Sequence, residues 1–502
     1  MVISTLLLSV PLLLIVYFGF FAVHTYAYTI AALFRKPLPT TTPRPDARVA
    51  VVIVSFNERA VIADTVTACE RLTFPNKTII VGDDSTDPET IALLRGLAIA
   101  RGCAGPIPVR YDGNDVELWE SDGFVLFHRA ENTGFKAGNL KALEGYLQQR
   151  DFDYMYLLDA DWRPQTDAIE RCLSAIEADP DIAYVQTTRL YHYGHGDHFQ
   201  RCLAISEEAC YLVDLPGRQR LNHMILFTGC CALFKLRALS AVGGFRAGHL
   251  TEDIDLSNRF YLAGYRGVFL EDVKNTGEVP PNYKAFRRQQ QRWATGSART
   301  FKEYFRPVLR SRLSLGTKLS LMRQNAYYTV ALGVELALLW SVLTAVVAVV
   351  GSALGWTGPA PDEVLRPVAL PLAITALIAL SSGIPPLVVH AIKKREWVNL
   401  LYIPAACWIA LSVVHTYAIA NIKGFRNVAQ SWFVTPKTNR QKQNVRVAPA
   451  LRIRALNVAT LVAVVGASLA AGRGGAEPML LLVLVPYALM WIPSLIIGAL
   501  TS

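Results

Sequence analysis

The chain lacks the signatures of several common functional classes. Its eight cysteines include no CxxC pair and no zinc-like spacing, so we expect reduced, mostly buried thiols and no zinc site. No GxGxxG and no GxxxxGK[ST] occurs, so neither a dinucleotide fingerprint nor a P-loop is supported. Internal repeats and low-complexity tracts are also missing. The chemistry of the chain must therefore be sought in other polar residues.

Charge is missing from the start of the chain. Residues 1–34 contain no Lys, Arg, Asp or Glu, and Arg35 and Lys36 follow directly. A span of about 20 apolar residues crosses a bilayer, and this run lacks the basic start of a signal peptide. The net charge of +10 would suit nucleic acid, but the basic residues lie beside apolar runs, as the positive-inside rule describes. We therefore predict an N-terminal transmembrane helix, a cytoplasmic domain after it and no nucleic-acid partner.

Strand and helix patterns alternate after the first run. Strands are predicted at residues 48–55, 78–81, 124–128 and in the first part of 154–161, and helices at 58–72 and 136–149. This βαβ alternation predicts a parallel, doubly wound α/β sheet, which is a nucleotide-binding architecture.

Two carboxylates end the strand within residues 154–161. Open α/β sheets bind ligands beyond the carboxyl ends of their strands, which is where Asp159 and Asp161 lie. Carboxylates so close together repel each other unless a cation, usually one that also holds phosphate, lies between them. The alternative is a turn with two solvated aspartates.

Two later segments also have structural alternatives. Thr251-Glu252-Asp253 opens a predicted helix, with Thr251 as N-cap and Gly264 as its stop, and acids there stabilise the helix dipole. Residues 287–293 form a basic segment that could be a solvated or membrane-facing helix.

Five segments, taken in order, resemble those of processive family 2 glycosyltransferases, among them the cellulose synthases and the cellulose-synthase-like mannan, glucomannan and glucan synthases. The segments are Asp83-Asp84-Ser85-Thr86-Asp87, Gly134-Phe135-Lys136-Ala137-Gly138-Asn139-Leu140, Asp159-Ala160-Asp161, Thr251-Glu252-Asp253 and Gln289-x-x-Arg292-Trp293. The resemblance is close over residues 47–302 and looser in the membrane part. It implies a cytoplasmic α/β nucleotide-diphospho-sugar transferase domain of the GT-A type, inserted between an N-terminal transmembrane helix and a C-terminal α-helical membrane bundle.

The same resemblance implies a nucleotide-sugar donor, a growing polysaccharide acceptor and Mg²⁺ or Mn²⁺. Asp159 and Asp161 would bind the metal, and Asp253, beside Glu252, would take the proton of the acceptor hydroxyl. The donor would be held by Ser55, Asn57, Glu58, Asp83, Lys136, Asp159, Gln289 and Arg292. The acceptor would lie against Trp293, Phe227, Thr228, Gly229 and Cys230. The Cys230-Cys231 pair departs from the family pattern.

The rest of the chain is divided by its apolar runs. We assign an N-terminal transmembrane helix to 1–34, the glycosyltransferase domain to 35–312, an interfacial helix to 313–328, transmembrane spans plus an interfacial or re-entrant segment to 329–422, a cytoplasmic loop to 423–454 and two transmembrane helices to 455–502. Residues 397–422 are taken as interfacial or re-entrant because eight Lys/Arg and no acid follow in 423–454. This assignment gives five crossings and a conduit for product.

Two features of the membrane half imply further roles. The segment from Trp432 to Lys437 resembles the gating loop of cellulose synthases, with Trp432, Val434, Thr435 and Lys437 as its matching residues. The alternative is an ordinary basic loop. Glu335 lies within a predicted span, where a charged group is costly and should face protein or water, so we expect it at the cytoplasmic mouth of a channel. The alternative places Glu335 near the cytoplasmic end of the span, with its side chain pointing to the lipid headgroups.

Together these expectations describe a membrane-embedded, inverting, processive glycosyltransferase. It would polymerise a hexose from UDP-glucose or GDP-mannose into a β-linked polysaccharide and translocate it across the bilayer. The protein would be multi-pass in the plasma or inner membrane, or in the Golgi of a eukaryote, with accessory secretion subunits left open. The alternatives are a single-transfer enzyme acting on a lipid and a transporter with a degenerate nucleotide-binding domain.

Overall fold

The structure is a computed structural model. It describes residues 2–194, 196–337, 339–340 and 381–428, and the positions 343, 354, 374 and 377–379 between them. The gating-loop residues Trp432, Val434, Thr435 and Lys437 lie outside the described residues, as do the spans predicted within 455–502 and most of those within 338–380.

A nine-stranded mixed sheet forms the centre of the described chain. The strands are β1 Val49–Ser55, β2 Lys77–Asp83, β3 Ala104–Tyr111, β4 Asn114–Ser121, β5 Phe124–Arg129, β6 Tyr154–Asp159, β7 Ile182–His192, β8 Ala232–Lys235 and β9 Arg266–Glu278. Their order in space is β3-β4-β5-β2-β1-β6-β8-β7-β9. The parallel strands β5, β2, β1 and β6 bring their carboxyl ends to one edge.

The prediction of a parallel sheet is confirmed for the central strands β5, β2, β1 and β6, and it is wrong for the strands on either side of them. Strands β3, β4 and β5 form an antiparallel meander, and β8 runs antiparallel between β6 and β7. The apolar-run criterion misses β3 because that strand is mostly exposed, whereas β8 lies at the end of the buried apolar run at residues 226–234. Both additions widen the sheet and leave the β1–β6 edge unchanged.

Helices cover both faces of the sheet and continue into the apolar segments. They are α1 Val2–Ala31, α2 Ile62–Glu70, α3 Pro88–Ala100, α4 Phe135–Gln148, α5 Ala168–Ile176, α6 His198–Ala209, α7 Leu215–Arg220, α8 Leu236–Ala241, α9 Glu252–Leu262, α10 Tyr283–Arg310 and α11 Leu315–Asn325, followed by Ile384–Lys394, Ile403–Ser412 and Val414–Phe425. A π-helical turn, Cys210–Asp214, joins α6 to α7.

Strand β1 shows why the sheet is buried on both sides. All seven of its residues are buried. Val49, Val51 and Ile53 belong to one hydrophobic core and the alternating Ala50, Val52 and Val54 to the other. A strand that is covered on both faces reads as one apolar run, and this is the pattern that the sequence displays.

Two helical segments, Leu8–Ala31 and Trp397–Phe425, are long and apolar enough to cross a membrane by length and composition. The second is interrupted: a 3-10 turn, Trp397–Tyr402, precedes Ile403–Ser412, and Val413 separates that helix from Val414–Phe425. Its assignment as interfacial or re-entrant therefore stays a prediction.

The first helix is tied to the sheet domain through Tyr28. The guanidinium groups of Arg218 and Arg323 lie 5.3 and 5.0 Å from its ring centroid, and its hydroxyl lies 3.0 Å from Nδ1 of His223. At Gly217 a Cβ would lie 2.2 Å from the carbonyl oxygen of Tyr28, so only glycine allows this contact. The helix is thus packed against the domain and not merely tethered to it.

Candidate active site

A cleft of about 1190 Å³, counting the solvent at its mouth, opens at the carboxyl edge of β1 and β6. Open α/β sheets bind ligands at this edge. Twelve of the residues selected from the sequence line it: Ser55, Glu58, Lys136, Asp159, Asp161, Thr228, Gly229, Glu252, Asp253, Gln289, Arg292 and Trp293. The structure therefore brings together segments that lie more than 200 residues apart in the chain.

Lys136 lies at the centre of the cleft. It enters at the start of α4, where Gly134 has a φ of 70°, and a Cβ at Gly138 would lie 2.0 Å from the carbonyl oxygen of Thr133. Its Nζ donates to Asp159 Oδ1 at 2.6 Å and to the Gly229 carbonyl at 2.7 Å, and it lies 3.4 Å from Glu252 Oε1. Burial alone would lower the pKa of Lys136, but Asp159 and Glu252 outweigh it and raise that pKa. Lys136 is therefore a fixed cation between two groups of carboxylates.

Asp159 and Asp161 both face the cleft, as the sequence predicts. Asp159 is the last residue of β6, and Asp161 is almost fully buried two residues later. A donor set of carboxylate oxygens beside a cleft of this size fits a hard divalent cation such as Mg²⁺ or Mn²⁺. The residues present are therefore compatible with the predicted metal.

A second acidic group lies outside this cleft edge, and its charges are paired. Ligand atoms of His249, Asp255 and Glu303 lie within 4.8 Å of one another. However, Arg246 Nη1 lies 3.4 Å from Asp255 Oδ1 and 2.9 Å from Glu303 Oε1, and Arg259 Nη2 donates to Asp255 Oδ2 at 2.7 Å. Two guanidinium groups supply the positive charge here, so the metal prediction stays with Asp159 and Asp161.

Asp253 has an unusual acidity for a carboxylic acid. It is the second residue of α9 and follows Glu252, which is buried. Burial and then the neighbouring Glu252 carboxylate raise the pKa of Asp253 to about 7, against the backbone N–H of Ile254 and the charges of Lys136 and Arg292, which lower it. A carboxylate with a pKa near neutrality can accept a proton during a reaction and release it afterwards. The Thr251 side chain makes no cap hydrogen bond and instead contacts the Thr300 hydroxyl at 3.1 Å.

Helix α10 supplies Gln289, Arg292 and Trp293 to the cleft. Burial lowers the pKa of Arg292, while Glu252, Asp253 and Asp159 oppose that effect. Its Nη1 donates to the Leu250 carbonyl at 3.4 Å, directly before Thr251. The basic segment is therefore helical, and one face of the helix turns toward the acidic cluster.

Four of the residues selected for the donor and acceptor sites do not line the cleft. Asp83 is fully buried: His128 Nδ1 lies 2.8 Å from its Oδ2, and the Ser85 hydroxyl donates to its Oδ1 at 2.6 Å. Asn57 caps the loop after β2, since its Oδ1 accepts from the backbone of Thr86 and Asp87. Phe227 and Cys230 are fully buried in the two hydrophobic cores. The structure gives these four a supporting position.

Other lining residues were not selected from the sequence. Asp84 is buried and paired with Arg129 at 2.7 and 2.5 Å, and it also accepts from Asn139 at 2.7 Å. This network ties the end of β2 to α4. The remaining additions include Asn132, Trp162, Arg189, Tyr191, Glu207 and Glu278. Glu335 does not line the cleft; its Oε1 lies 2.9 Å from Nδ1 of His415.

Two family models match the chain. Residues 50–243 match the description "Glycosyl transferase family 2" and residues 154–384 match "Glycosyl transferase family group 2". The two matches overlap across the β6 strand with Asp159 and Asp161. The chain therefore carries a family 2 glycosyltransferase domain, and the family resemblance derived from its motifs is confirmed.

Curated relatives agree with this assignment. The chain is 29% identical over 286 residues to a probable glucomannan 4-beta-mannosyltransferase 14 of Arabidopsis thaliana, covering 55% of this chain and 49% of the relative. It is 29% identical over 263 residues to a probable glucomannan 4-beta-mannosyltransferase 1 of the same plant, covering 51% and 44%. The chain thus spans about half the length of the curated relatives it matches.

Among solved structures, the mannosyltransferase PcManGT of Pyrobaculum calidifontis, in complex with GDP-Man and Mn²⁺, aligns with a TM-score of 0.49 at 18% identity. That alignment covers 78% of this chain and 99% of the other. TarS of S. aureus aligns with a TM-score of 0.37 at 13% identity and covers 67% of this chain and 54% of the other.

Proposed function

Since the chain carries a family 2 glycosyltransferase domain, we propose that it transfers a hexose from a nucleotide sugar to a carbohydrate acceptor and inverts the anomeric carbon. The observation that carries this proposal is the single cleft in which a strand-end carboxylate pair, a fixed lysine and a carboxylate of raised pKa meet. That combination supplies a diphosphate site and a proton acceptor on the same wall.

The reaction uses these side chains as follows. Asp253 accepts the proton of the acceptor hydroxyl while the oxygen of that hydroxyl attacks the anomeric carbon of the donor sugar. A new C–O bond forms there, the bond from that carbon to the diphosphate oxygen breaks, and the electron pair leaves with the nucleoside diphosphate. Lys136 and Arg292 oppose the negative charge that develops on the leaving group. Attack from the face opposite the leaving group inverts the configuration.

Asp159 and Asp161 would hold Mg²⁺ or Mn²⁺, which would neutralise charge on the diphosphate when bound. Gln289 and Ser55 lie on the same cleft and would contact the donor. Trp293 offers an aromatic face to the acceptor sugar, since C–H groups of a pyranose pack on a π surface.

We also propose that the product is a β-linked polysaccharide, made processively and moved across a membrane. The glucomannan mannosyltransferases among the relatives favour mannose or glucose as the sugar, and GDP-mannose and UDP-glucose as donors. The two apolar helices that could cross a membrane support a membrane location for the enzyme. The catalytic domain would face the cytoplasm, where nucleotide sugars are made.

The deciding experiment is incubation of membranes that contain the full chain with GDP-mannose, UDP-glucose or UDP-N-acetylglucosamine, each with Mg²⁺ or Mn²⁺. We expect one donor to give a long, water-insoluble polymer that a linkage-specific β-hydrolase digests. Membranes with Asp253→Asn serve as the inactive control.

The alternatives give different products in the same experiment. A single sugar on an organic-soluble lipid would support transfer to a lipid acceptor and overturn the polymer proposal. No nucleotide release with any donor would overturn glycosyl transfer itself and favour a transporter with a degenerate domain.

A further inference from the structure

One wall of the cleft holds a cation and an anion that the reaction above does not use. Arg189 comes from β7, and Glu207 from α6, one turn before the π-helical turn Cys210–Asp214. Both side chains line the cleft. π-helical turns are found frequently at functional sites, where they redirect side chains. Neither residue belongs to a motif of the sequence.

Arg189 is held in one orientation by its neighbours. Its guanidinium lies 4.3 Å from the ring centroid of Trp162 and 5.2 Å from that of Tyr211. Its Nη1 donates to the Thr228 carbonyl at 2.9 Å and its Nη2 to the Tyr191 hydroxyl at 3.1 Å. Nε is buried and makes no hydrogen bond within the described part of the chain. Among the residues that the structure describes, no carboxylate lies within 4.0 Å of the Arg189 guanidinium. Arg189 is therefore a fixed cation beside the cleft without an ion-pair partner in that part of the chain.

Glu207 is the complementary group. Within the described ranges its carboxylate accepts no hydrogen bond and forms no ion pair, although Arg189 acts on it electrostatically. Burial raises the pKa of Glu207, in agreement with a carboxyl group that the protein leaves unsatisfied. Glu207 is half-buried at the surface of the cleft, so a ligand that displaces water from it must supply hydrogen bonds to its carboxylate in return.

The ligand that suits both groups is an uncharged, hydroxyl-rich sugar. A hydroxyl can accept a hydrogen bond from Arg189 and donate one to Glu207, so neighbouring hydroxyls of one ring can bridge the pair. The donor diphosphate is a poor candidate, because it would lie beside the Glu207 carboxylate while Lys136 and Arg292 offer cations elsewhere in the cleft. A uronate would also bring a carboxylate toward Glu207, and like charges in a buried cleft repel strongly.

We propose that Arg189 and Glu207 form a subsite for an uncharged sugar unit of the acceptor, and that Glu207 excludes acceptors that carry a carboxylate. This inference rests on the proposed glycosyl transfer and adds the chemical class of its acceptor. Trp162 and Tyr191 hold Arg189 and are themselves 1% and 8% exposed, so they position the cation and do not stack on the sugar.

The test compares neutral and anionic acceptors of the same linkage. With GDP-mannose the pair is β-1,4-mannotetraose and β-1,4-tetramannuronate; with UDP-glucose it is cellotetraose and its glucuronate counterpart. We expect the wild type to use the neutral tetrasaccharide and to discriminate against the uronate. Glu207→Gln, which keeps the side-chain size and removes the charge, should reduce that discrimination at least tenfold.

Two further variants separate binding from folding. Glu207→Ala should raise KM for the neutral acceptor at least tenfold and leave KM for the nucleotide sugar within twofold. Asp272→Asn, at a side chain 83% exposed on β9, is the matched control and should change neither constant. The discrimination ratio is measured within one variant, so it does not depend on how much of that variant is folded.

Each outcome decides between the two proposals. If the wild type transfers sugar but Glu207→Gln keeps full discrimination, the subsite is wrong and glycosyl transfer stands. A rise in KM for the nucleotide sugar in Glu207→Ala would assign the pair to the donor and overturn the subsite. If the wild type forms no glycosidic bond with any donor, both proposals fail together.

Discussion

At the scale of single residues, the proposed reaction depends most directly on Asp253. Asp253→Asn keeps the shape of the side chain but cannot accept a proton, and general-base catalysis contributes roughly 10²–10⁴-fold. We therefore expect a loss of that order in kcat, with nucleotide affinity within about threefold of wild type, because the donor-side groups stay in place. The measurement is initial-rate kinetics with a nucleotide-binding titration. Activity within about threefold of wild type would remove Asp253 as the base.

The same carboxylate gives a pH dependence. Burial and Glu252 raise the pKa of Asp253 to about 7. The base must be deprotonated, so its active fraction falls as pH drops through that value, by about tenfold for each unit below it. We expect kcat/KM to fall on acidification from about pH 8 to pH 6 and to level off above the pKa. A profile that is flat across this range would contradict the assignment.

Asp161 tests the metal separately from the base. Its carboxylate is 1% exposed and lines the cleft beside Asp159. We expect Asp161→Ala to abolish activity and the Mn²⁺-dependent part of nucleotide-sugar binding while the unfolding transition remains cooperative. Isothermal titration with and without chelator measures this. Binding that is equal under both conditions in the wild type would exclude a metal held by this pair.

The residues also show where sequence patterns stop being informative. The place of Asp159 and Asp161 at the edge of the sheet could be predicted because they end a recognisable apolar strand, whereas Asp253 was selected through the family resemblance. Asp83 carried the same signal, yet its carboxylate is used by His128 and Ser85. Ser85 lies two residues after Asp83, but His128 comes from a strand 45 residues away that no local pattern relates to it. Arg189 was missed for the same reason, since its orientation depends on Trp162 and Tyr211.

At the scale of elements, the close packing of β9 against the Trp162 ring gives a testable contact. Tyr191 pairs with Gly277 across β7 and β9, and a Cβ at Gly277 would lie 2.6 Å from the Trp162 ring. Because that ring is 1% exposed, it has little room to move. We expect Gly277→Ala to destabilise the fold by about 1–3 kcal/mol through overpacking. Transfer should also weaken, because Trp162 supports Arg189.

Gly96 is the matched control for this substitution. It lies within α3, and a Cβ there meets nothing within 4 Å. Gly96→Ala should be neutral or stabilising by up to about 1 kcal/mol, because alanine favours the helix. Thermal unfolding of the two variants is the measurement. Equal unfolding temperatures would mean that the contact at Gly277 relaxes without cost.

Elements were predicted well where they are long and apolar and poorly where they are neither. The β1 and β6 strands could be placed to within two residues because their burial is nearly continuous, and α4 because its buried residues recur at helical spacing. The β3–β4 hairpin could not, because β3 is exposed and its position depends on pairing with β4. The short β8 strand exists only because β6 and β7 flank it.

At the scale of the whole molecule, the open question is how the cleft connects to the apolar segments. Gln290, next to the cleft residue Gln289, accepts from the Tyr417 hydroxyl at 2.8 Å and from the Tyr328 hydroxyl at 3.3 Å. The ring centroids of Tyr328 and Tyr417 lie 4.9 Å apart. A line of polar groups therefore runs from α10 toward the helix Val414–Phe425.

Glu335 lies in that region, and its contact with His415 sharpens the expectation drawn from the sequence. A charged group at bilayer depth costs on the order of 2.5–3.5 kcal/mol on insertion scales, so within the span predicted from the sequence Glu335 would need a polar partner. His415 supplies such a partner, with its Nδ1 2.9 Å from Oε1 of Glu335, and the Glu335 side chain is 24% exposed.

If these residues border a product channel, Glu335→Leu should shorten the polymer or slow its formation and leave nucleotide affinity within about twofold. Glu335→Gln keeps a hydrogen-bonding group and should retain most of the polymer length. Product sizing by gel filtration, beside a nucleotide titration, measures both effects. Unaltered polymer length in Glu335→Leu would assign the pair to helix packing alone, because a leucine cannot exchange hydrogen bonds with passing sugar hydroxyls.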